Sequence, residues 1–407
     1  MICPICKSNN TDLLLDYGQY PYFTVPLKKK DKKKILAQYR KDQLFSELKY
    51  TACKDCGHVY INQIPDQDII DDLYSNYYSY PSPLKGEFEP ARDNHFINIF
   101  KKVFNPICRK RNLENVLEVG CFDGYILYNL KKKGYNVTGC DPSIGADIGK
   151  SFGINIQKEN FSPEHFIKDG NFFDIIISRH FIEHTSEPEN FILGLEKILN
   201  NNGLLIIETP NIQHFLQKGL LEVFSLQHIT LFTSKSIEYL LNLVGFKVIH
   251  TEITPDNLIL AAVKSNCNKN THINLYSNIV KQFKKQIIKN KQRINKALFE
   301  TLNKYNDRIF IWGAGGFGIA ALNLYDIPPD KIDFFTDSDP QKWGMEYITN
   351  SIPIISPEEA KEINPELIIV ASMYSSGILS TIKNMKFNCP TLLLSPDVLL
   401  ELPLNSN

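Results

Sequence analysis

The chain has 407 residues, a length that predicts two or three domains because one hydrophobic core rarely grows beyond about 250–300 residues. Its 45 basic and 45 acidic residues balance, which argues against a dedicated nucleic-acid binder, since such proteins need a basic surface. The start, MICPICKSNN, lacks the apolar stretch of a signal peptide, and no run of 18 uncharged apolar residues occurs. A cytoplasmic protein without a membrane partner is therefore expected.

Four of the nine cysteines form two Cys-x-x-Cys pairs, Cys3 with Cys6 and Cys53 with Cys56. Each pair places two thiolates on one tight turn, and two such turns complete the four-sulfur shell that suits Zn²⁺. In a reducing compartment this pattern favours metal binding over disulfides. Because four sulfurs leave no open coordination position, a structural zinc site is predicted. The alternative is four unrelated buried thiols, and His58 is a possible substitute ligand.

The central part of the chain alternates between helical and strand patterns. A helical pattern runs from about 92 to 112, with Phe96, Ile99, Phe100 and Val103 on one face. Six strands are then predicted, in the segments ENVLEVG, YNVTGCD, FFDIIISRH, GLLIIETP, FKVIHTEIT and NLILAAVK, and the helix YILYNLKKKG after the first of them ends at Gly134. Parallel strands with interleaved helices predict a doubly wound α/β sheet. The last two strands, one of them returning as a hairpin, fit the Rossmann-like sheet of class I methyltransferases.

The loop after the first strand predicts a nucleoside cofactor. A strand that ends in a glycine-bearing turn lets the backbone approach a ligand, and Asp141 at the end of the next strand can accept both ribose hydroxyls. The motif is E-x-G-x-x-D-G rather than G-x-G-x-x-G, which favours S-adenosylmethionine (SAM) over a dinucleotide, because SAM has an ammonium that Glu118 or Asp123 can offset. A purely structural turn, with Asp141 capping a helix, is the alternative. The predicted cofactor-binding residues are Glu118, Gly120, Asp123, Gly124, Asp141 and His180.

Candidate acid–base residues lie in two segments. The strand in FFDIIISRHFIEHTSEP delivers Arg179, His180, Glu183 and His184 to the carboxyl edge of the sheet, where ligands of α/β proteins bind, although some of these side chains will be structural. His228 lies in SLQHITLFT, just before a helix capped by Thr233 or Ser234. Its imidazole can act as a general base near neutral pH, and packing or capping is its alternative role.

Several further segments are distinctive. They are Asp16-Tyr-Gly with the following Pro21 and Pro26-Leu, the tyrosine-rich YSNYYSYPS followed by His95, EVGCFDG, RHFIEHTSEP, QHITLFT, and GAGGFG with Asp337 and SIPIISPEE. Together with the paired cysteines, they make nearly the whole chain resemble the bacterial sugar C-methyltransferases that act on nucleotide-linked deoxy-keto-sugars.

The resemblance implies a mechanism and a set of catalytic residues. A base removes the proton next to a ketone of the sugar, and the enolate attacks the SAM methyl group in line. By position His228 would be the base, while His184 and a tyrosine within Tyr77–Tyr80, taken here as Tyr78, would line the sugar site. The family often has Tyr-x-Glu-His where this chain has Ser225-Leu-Gln227-His228. Methylation of a sugar hydroxyl with His228 alone as base therefore stays an alternative.

A second glycine loop lies near the C-terminal end. The strand RIFIW runs into Gly313–Gly318, and Asp337 ends the next strand about 20 residues on, which is the pattern of a dinucleotide site. The domain has only about 100 residues and no evident hydride-transfer residue, so a role in holding the substrate's nucleotide, or an architectural role, is favoured. An NAD(P)-linked oxidoreductase and a non-catalytic binding protein are the two alternatives from other classes.

The chain is accordingly expected to have four parts. These are a zinc-binding substrate domain (1–80), a SAM-dependent methyltransferase domain (81–264), a linker helix (265–304) and a C-terminal Rossmann-like domain (305–407). The expected partner is a nucleotide-linked sugar, with no nucleic acid and no membrane, and the expected state is a monomer or a homodimer.

Overall fold

The computed structural model describes residues 2–77, 82–87, 90–219, 221, 223–265, 276–305, 307–372, 375–394 and 401–402. The chain forms two compact units that do not follow its linear order. The first unit comprises Met1–Leu14, Tyr50–His214 and Gln227–Asn278. The second comprises Leu15–Lys49, Phe215–Leu226 and Ile279–Asn407. In the part of the chain described, no helix has both the length and the apolar character needed to cross a membrane.

The N-terminal region contains three strands and two helices. They are β1 (Thr11–Pro21), α1 (Lys29–Gln38), β2 (Phe45–Cys53), β3 (Val59–Ile61) and α2 (Gln67–Asp72), with a 3-10 turn (Lys41–Leu44) and a π-helical turn (Leu73–Tyr77). The end of β2 pairs with β3 in antiparallel fashion, Ala52 opposite Val59. The two cysteine turns lie directly before β1 and between β2 and β3, so the hairpin holds the second cysteine pair in place.

The central region alternates between strands and helices. Its elements are α3 (Ala91–Ile99), a π-helical turn (Phe100–Phe104), α4 (Asn105–Arg111), β4 (Asn115–Val119), α5 (Tyr125–Lys131), β5 (Asn136–Cys140), α6 (Gly145–Ser151), β6 (Asn155–Gln157), α7 (Pro163–Lys168), β7 (Phe173–Arg179), a 3-10 turn (Ile182–His184), α8 (Pro188–Ile198), β8 (Leu199–Pro210), α9 (Ile212–Lys218), β9 (Thr230–Leu231), α10 (Ser234–Leu243), β10 (Phe246–Ile253) and β11 (Asn257–Lys264).

Seven of these strands form one sheet in the order β10-β11-β8-β7-β4-β5-β6. Strands β4 to β8 run parallel, whereas β11 is antiparallel to both β8 and β10. This arrangement, with a reversed hairpin on one edge, is the class I methyltransferase sheet that the strand pattern predicts.

The near-continuous apolar strands result from burial on both faces of this sheet. Leu117 and Ile176 belong to the core on one face, and Val116 and Ile175 to the core on the other. Burying an aliphatic side chain of this size contributes about 1.5–3 kcal/mol. Successive side chains of a strand alternate between the two faces, and both faces are buried here. Polar residues therefore concentrate at the strand ends, where a site can form.

The C-terminal region forms a six-stranded sheet of its own. Its elements are α11 (Tyr276–Leu302), β12 (Ile309–Trp312), α12 (Gly316–Leu324), β13 (Phe334–Thr336), β14 (Ile354–Ile355), α13 (Pro357–Ile363), β15 (Leu367–Val370), α14 (Ser375–Asn384), β16 (Thr391–Leu393) and β17 (Glu401–Leu402), with 3-10 turns at Pro329–Lys331 and Pro340–Lys342. The strand order is β14-β13-β12-β15-β16-β17, and β12 to β16 are parallel. This agrees with the expected Rossmann-like domain.

Candidate active site

The four cysteines of the two pairs converge. The sulfur atoms of Cys3 and Cys56 are 3.6 Å apart, and those of Cys6 and Cys53 are 3.5 Å apart. All four sulfurs lie within 4.8 Å of one another. A tetrahedron with zinc–sulfur bonds of about 2.3 Å has edges of about 3.8 Å, so the four thiols have the spacing and the donor chemistry for Zn²⁺. The bound zinc itself stays a prediction.

His58 has a different environment from these cysteines. It is fully buried, and its ring lies 5.7 Å from the Tyr60 ring and 4.8 Å from the Phe232 ring, measured between centroids. Burial lowers the pKa of His58 to about 3, so the imidazole is neutral. His58 therefore packs as an aromatic side chain, and the four cysteines form the cluster without it.

The cysteine hairpin is continuous with the segment that carries His228. Strand β3 pairs on its other edge with β9, Tyr60 opposite Thr230. The Tyr50 hydroxyl donates a hydrogen bond to the carbonyl oxygen of His228 at 2.5 Å, and the Thr230 hydroxyl donates to the Ile182 carbonyl oxygen at 3.1 Å. Strand β9 thus joins the cysteine hairpin to the 3-10 turn of His184. A zinc ion in the hairpin would stabilise the position of His228 through this strand.

The loop after β4 contains residues in the left-handed backbone region, among them Gly120 and Phe122. Gly120 has φ +74°, and a Cβ atom there would lie 2.8 Å from the Phe181 ring. Phe122 also has a positive φ, of 49°, which a bulky residue rarely adopts. Such strain persists where the surroundings enforce it and is frequent at functional sites.

Both aspartates predicted to bind the cofactor also organise this loop. Asp141 accepts hydrogen bonds from the Phe122 amide at 2.7 Å and the Ser143 amide at 2.9 Å. Asp123 accepts one from the Ser82 hydroxyl at 2.6 Å and one from the Tyr125 amide at 3.0 Å. The Ser143 hydroxyl also donates to Asp141 Oδ1, so with two lone pairs on each carboxylate oxygen the remaining acceptor position for a ribose hydroxyl is on Oδ2.

Glu118, near the end of β4, has a carboxyl group with incomplete hydrogen bonding. It is 2% exposed, and its Oε2 atom has no hydrogen-bond partner among the described residues. Burial raises the pKa of Glu118 to about 8, outweighing the nearby charge of Arg179. A buried carboxylate oxygen without a partner is unusual in a native protein, so Glu118 is a candidate to face a bound cationic group.

A buried ionic network lies at the ends of β7 and β8. Arg179 donates hydrogen bonds to Glu208 at 2.6 Å and to Asp93 at 2.9 Å, and its guanidinium stacks over the Phe96 ring at 4.5 Å. His180, with φ +48°, follows Arg179 and has its Nδ1 atom 3.2 Å from Glu183. Burial and Arg92 oppose protonation of His180, but the Glu183 carboxylate at Nδ1 and the Glu208 carboxylate, 3.7 Å from Nε2, raise its pKa. The network fixes this edge of the sheet by charge pairing.

His184 and His228 lie side by side, with ring centroids 5.1 Å apart. The Nδ1 atom of His184 is 2.7 Å from the Gln227 carbonyl oxygen, and because a carbonyl only accepts, Nδ1 carries the proton. The unprotonated nitrogen of His184 is therefore Nε2. Burial lowers the pKa of His184, which keeps this imidazole neutral.

Tyr74 is a candidate site residue that the motifs did not reveal. Its hydroxyl donates to Gln227 Oε1 at 3.1 Å and lies 3.3 Å from His184 Nδ1. Tyr74 belongs to the same tyrosine-rich segment as Tyr78, which was predicted to line the sugar site. Tyr78 itself lies outside the described residues. The role of Tyr78 stays a prediction, and the sequence of the segment did not single out Tyr74 among its tyrosines.

The glycine loop of the C-terminal sheet is hydrogen-bonded to Asp337, the acidic residue that follows β13. Asp337 accepts hydrogen bonds from the Ala314 amide at 2.8 Å and from the Lys342 ammonium at 3.0 Å. Gly318 permits this packing, since a Cβ atom there would lie 2.0 Å from the Gly313 carbonyl oxygen. The carboxylate that would take a ribose thus forms an ion pair with Lys342. The predicted substrate-nucleotide or architectural role of this loop stays a prediction.

Comparison with known protein families gives matches to two parts of the chain. Residues 92–251 match the family described as "Methyltransferase domain". Residues 249–387 match the family described as "C-methyltransferase C-terminal domain". The sheet order and these matches show that the chain carries a class I SAM-dependent methyltransferase domain, followed by the C-terminal domain of C-methyltransferases. The predicted fold class and the predicted methyltransferase class are confirmed.

Individual proteins that are similar to this chain match it at low sequence identity. The ubiquinone biosynthesis O-methyltransferase of Rickettsia bellii is 33% identical over 127 residues, which are 30% of this chain and 51% of the relative. The protein of the same name from Rhizobium leguminosarum bv. trifolii is 27% identical over 119 residues, 28% of this chain and 46% of the relative. The chain thus spans about half the length of the curated relatives it matches. Magnesium protoporphyrin IX methyltransferase of Synechocystis, solved with bound S-adenosylhomocysteine, has 17% identity and a TM-score of 0.37, and the match covers 49% of this chain and 100% of that one.

Proposed function

We propose that this protein transfers the methyl group of SAM to a carbon atom next to the ketone of a nucleotide-linked sugar. The observation that carries the proposal is a C-methyltransferase C-terminal domain behind a methyltransferase domain whose sheet edge holds two adjacent imidazoles. A carbon–hydrogen bond is not nucleophilic, so C-methylation needs a base, and a neutral imidazole is suited to that task near neutral pH.

His228 is the proposed base. It takes the proton from the carbon next to the ketone, and the carbon–hydrogen electron pair becomes the enolate. SAM, when bound, supplies an electrophilic methyl group on a sulfonium. The enolate carbon then bonds to that methyl group as the carbon–sulfur bond breaks, which leaves S-adenosylhomocysteine and a C-methylated keto-sugar. His184 and Tyr78 line the sugar in this proposal.

The cofactor residues have separate proposed roles. Asp141 accepts the ribose hydroxyls, Gly120 and Gly124 allow the backbone to approach, and Glu118 faces the ammonium. Asp123 and His180 complete the pocket, with Asp123 also holding the segment of Ser82 against the loop. The four cysteines bind a structural zinc ion that stabilises the His228 segment through β9.

Hydrogen–deuterium exchange tests the carbon chemistry directly. The protein is incubated in D₂O with a nucleotide-linked keto-deoxysugar and S-adenosylhomocysteine, so that deprotonation occurs without methyl transfer. Deuterium should enter at the carbon next to the carbonyl group, and His228→Asn should abolish this exchange while retaining calorimetric SAM binding. His165→Asn is the matched control, because His165 is an exposed histidine of the same unit, paired with Glu159.

The same preparation with ¹³C-methyl SAM identifies the atom that receives the methyl group. A methyl signal on carbon, together with deuterium exchange in the first assay, supports the proposal. Sugar O-methylation is the second candidate, favoured by Gln227 in place of the family's glutamate and by the O-methyltransferases among the relatives. A methyl signal on oxygen without any deuterium exchange would replace the first function by the second.

A further inference from the structure

The cysteine cluster is accompanied by a second group of side chains with metal-ligand chemistry. Glu183, His184 and His228 each offer one ligand atom, and these three atoms lie within 4.8 Å of one another. All three residues belong to the first unit. We propose that they form a second metal site, which takes a divalent transition-metal cation such as Zn²⁺ or Co²⁺ and inhibits the enzyme when occupied.

The donor set defines the class of ion. Two imidazoles and one carboxylate are ligands for divalent first-row transition metals, whereas Mg²⁺ and Ca²⁺ prefer oxygen ligands. Three protein ligands also leave coordination positions open for water. The set contains no sulfur, so the site differs chemically from the four-cysteine cluster.

His184 has the orientation of a ligand. Its Nδ1–H donates to the Gln227 carbonyl oxygen, and the Tyr74 hydroxyl lies beside the same nitrogen. Histidines that bind metals commonly donate one ring N–H to a carbonyl or carboxylate, which orients the other nitrogen toward the ion. With the proton on Nδ1, the lone pair of the His184 ring lies on Nε2.

Glu183 supplies the negative charge. It is 1% exposed, and its two oxygens contact His180 Nδ1 at 3.2 Å and the Thr209 hydroxyl at 3.1 Å. A carboxylate has about four lone-pair positions, so these two contacts leave capacity for a cation. A buried carboxylate is costly unless it is paired, and a divalent cation would compensate its charge more fully than one imidazole does.

The third ligand connects the site to the reaction. A cation bound to His228 occupies the lone pair that the proposed function uses to remove the sugar proton. Inhibition by the cation therefore rests on the proposed function, whereas cation binding does not. A chelator that leaves the four-cysteine zinc in place should restore activity.

Cobalt spectroscopy tests the binding. Protein containing one zinc ion per chain is titrated with Co²⁺, and about one further ion should bind with ligand-field bands but without the thiolate-to-cobalt charge-transfer band. His184→Asn and His228→Asn should each weaken this binding by at least about tenfold, while His165→Asn should not. Calorimetric SAM binding verifies that the variants are folded. The site is overturned if no second ion binds to the wild-type protein, or if binding survives both substitutions.

The deuterium-exchange assay at buffered Zn²⁺ concentrations tests the inhibition. Exchange should fall as the second site fills and recover with the chelator at one zinc ion per chain. Cation binding with an unchanged or increased exchange rate would overturn the inhibitory role. Cation binding in a wild-type protein that exchanges no deuterium, even after chelation, would support the site and refute the proposed carbon chemistry instead.

Discussion

The buried carboxyl group of Glu118 makes a quantitative prediction about SAM binding. In the free protein its pKa is about 8, because burial penalises the charged form. The ammonium of bound SAM would stabilise the carboxylate and lower this pKa. Binding should therefore expel a proton from Glu118, and replacing Glu118 by Gln, which imitates the protonated side chain, should abolish that release.

The magnitude follows from the pKa. With a pKa of about 8, Glu118 is roughly nine-tenths protonated at pH 7 in the free protein. If SAM lowers the pKa below about 5, close to 0.9 proton is released per SAM bound at pH 7, and only about 0.1 at pH 9. By linkage, SAM affinity should rise almost tenfold between about pH 6 and pH 7. The Glu118→Gln variant should lack this contribution.

Calorimetry in buffers with different ionisation enthalpies measures the released protons. The plot of binding enthalpy against buffer enthalpy has a slope equal to the number of protons exchanged. Because the ligand is the same for both proteins, its own titration cancels in the difference between wild type and Glu118→Gln. Equal slopes for the two proteins at pH 7 would refute the assignment of Glu118 to the ammonium.

The raised pKa of Glu118 also makes the free energy of unfolding depend on pH. The folded-state pKa of Glu118 lies above its unfolded value, so the folded protein without SAM binds more protons between about pH 4.5 and 8. This group's contribution to stability is therefore fully present below that window and is lost as the pH rises through it. The difference in unfolding free energy between wild type and Glu118→Gln, followed against pH, measures this contribution alone.

Three further predictions concern the surroundings of the site. Cys56→Ser should release the zinc and slow the deuterium exchange, because the cysteine hairpin holds β9; unchanged zinc by elemental analysis would contradict this. Tyr74→Phe should lower kcat by about tenfold or less while leaving the SAM affinity unchanged, because it removes one hydrogen bond to Gln227 worth about 0.5–1.5 kcal/mol; an equal loss of SAM affinity would indicate a general structural role instead. Gly149→Ala should destabilise the first unit by about 1–3 kcal/mol in chemical denaturation, because the added Cβ would lie 2.5 Å from the Asp123 backbone oxygen, whereas Lys150→Ala, on the exposed face of the same helix, should not.

Much of the fold was predictable because its signals are local. Apolar runs such as Ile175 to Ile177 predict strands buried on both faces, and the alternation of strands and helices predicts their parallel order. The glycine turn and Asp141 were predictable for the same reason, since one βαβ unit contains both. Spacing alone likewise brought the two cysteine pairs together as a candidate cluster.

The sequence by itself determined the class I sheet, the glycine turn after β4 and the two Cys-x-x-Cys turns, because each depends on residues close in the chain or on a repeated pattern. Only the tertiary structure decided what surrounds His228. Strand β9 has just two residues and no pattern of its own, so its pairing with β3 depends on backbone hydrogen bonds across the chain. The contacts of Tyr74 with Gln227 and His184 likewise join residues that are 153 and 110 positions apart. Such contacts arise when the chain folds, and no local pattern of side chains encodes them.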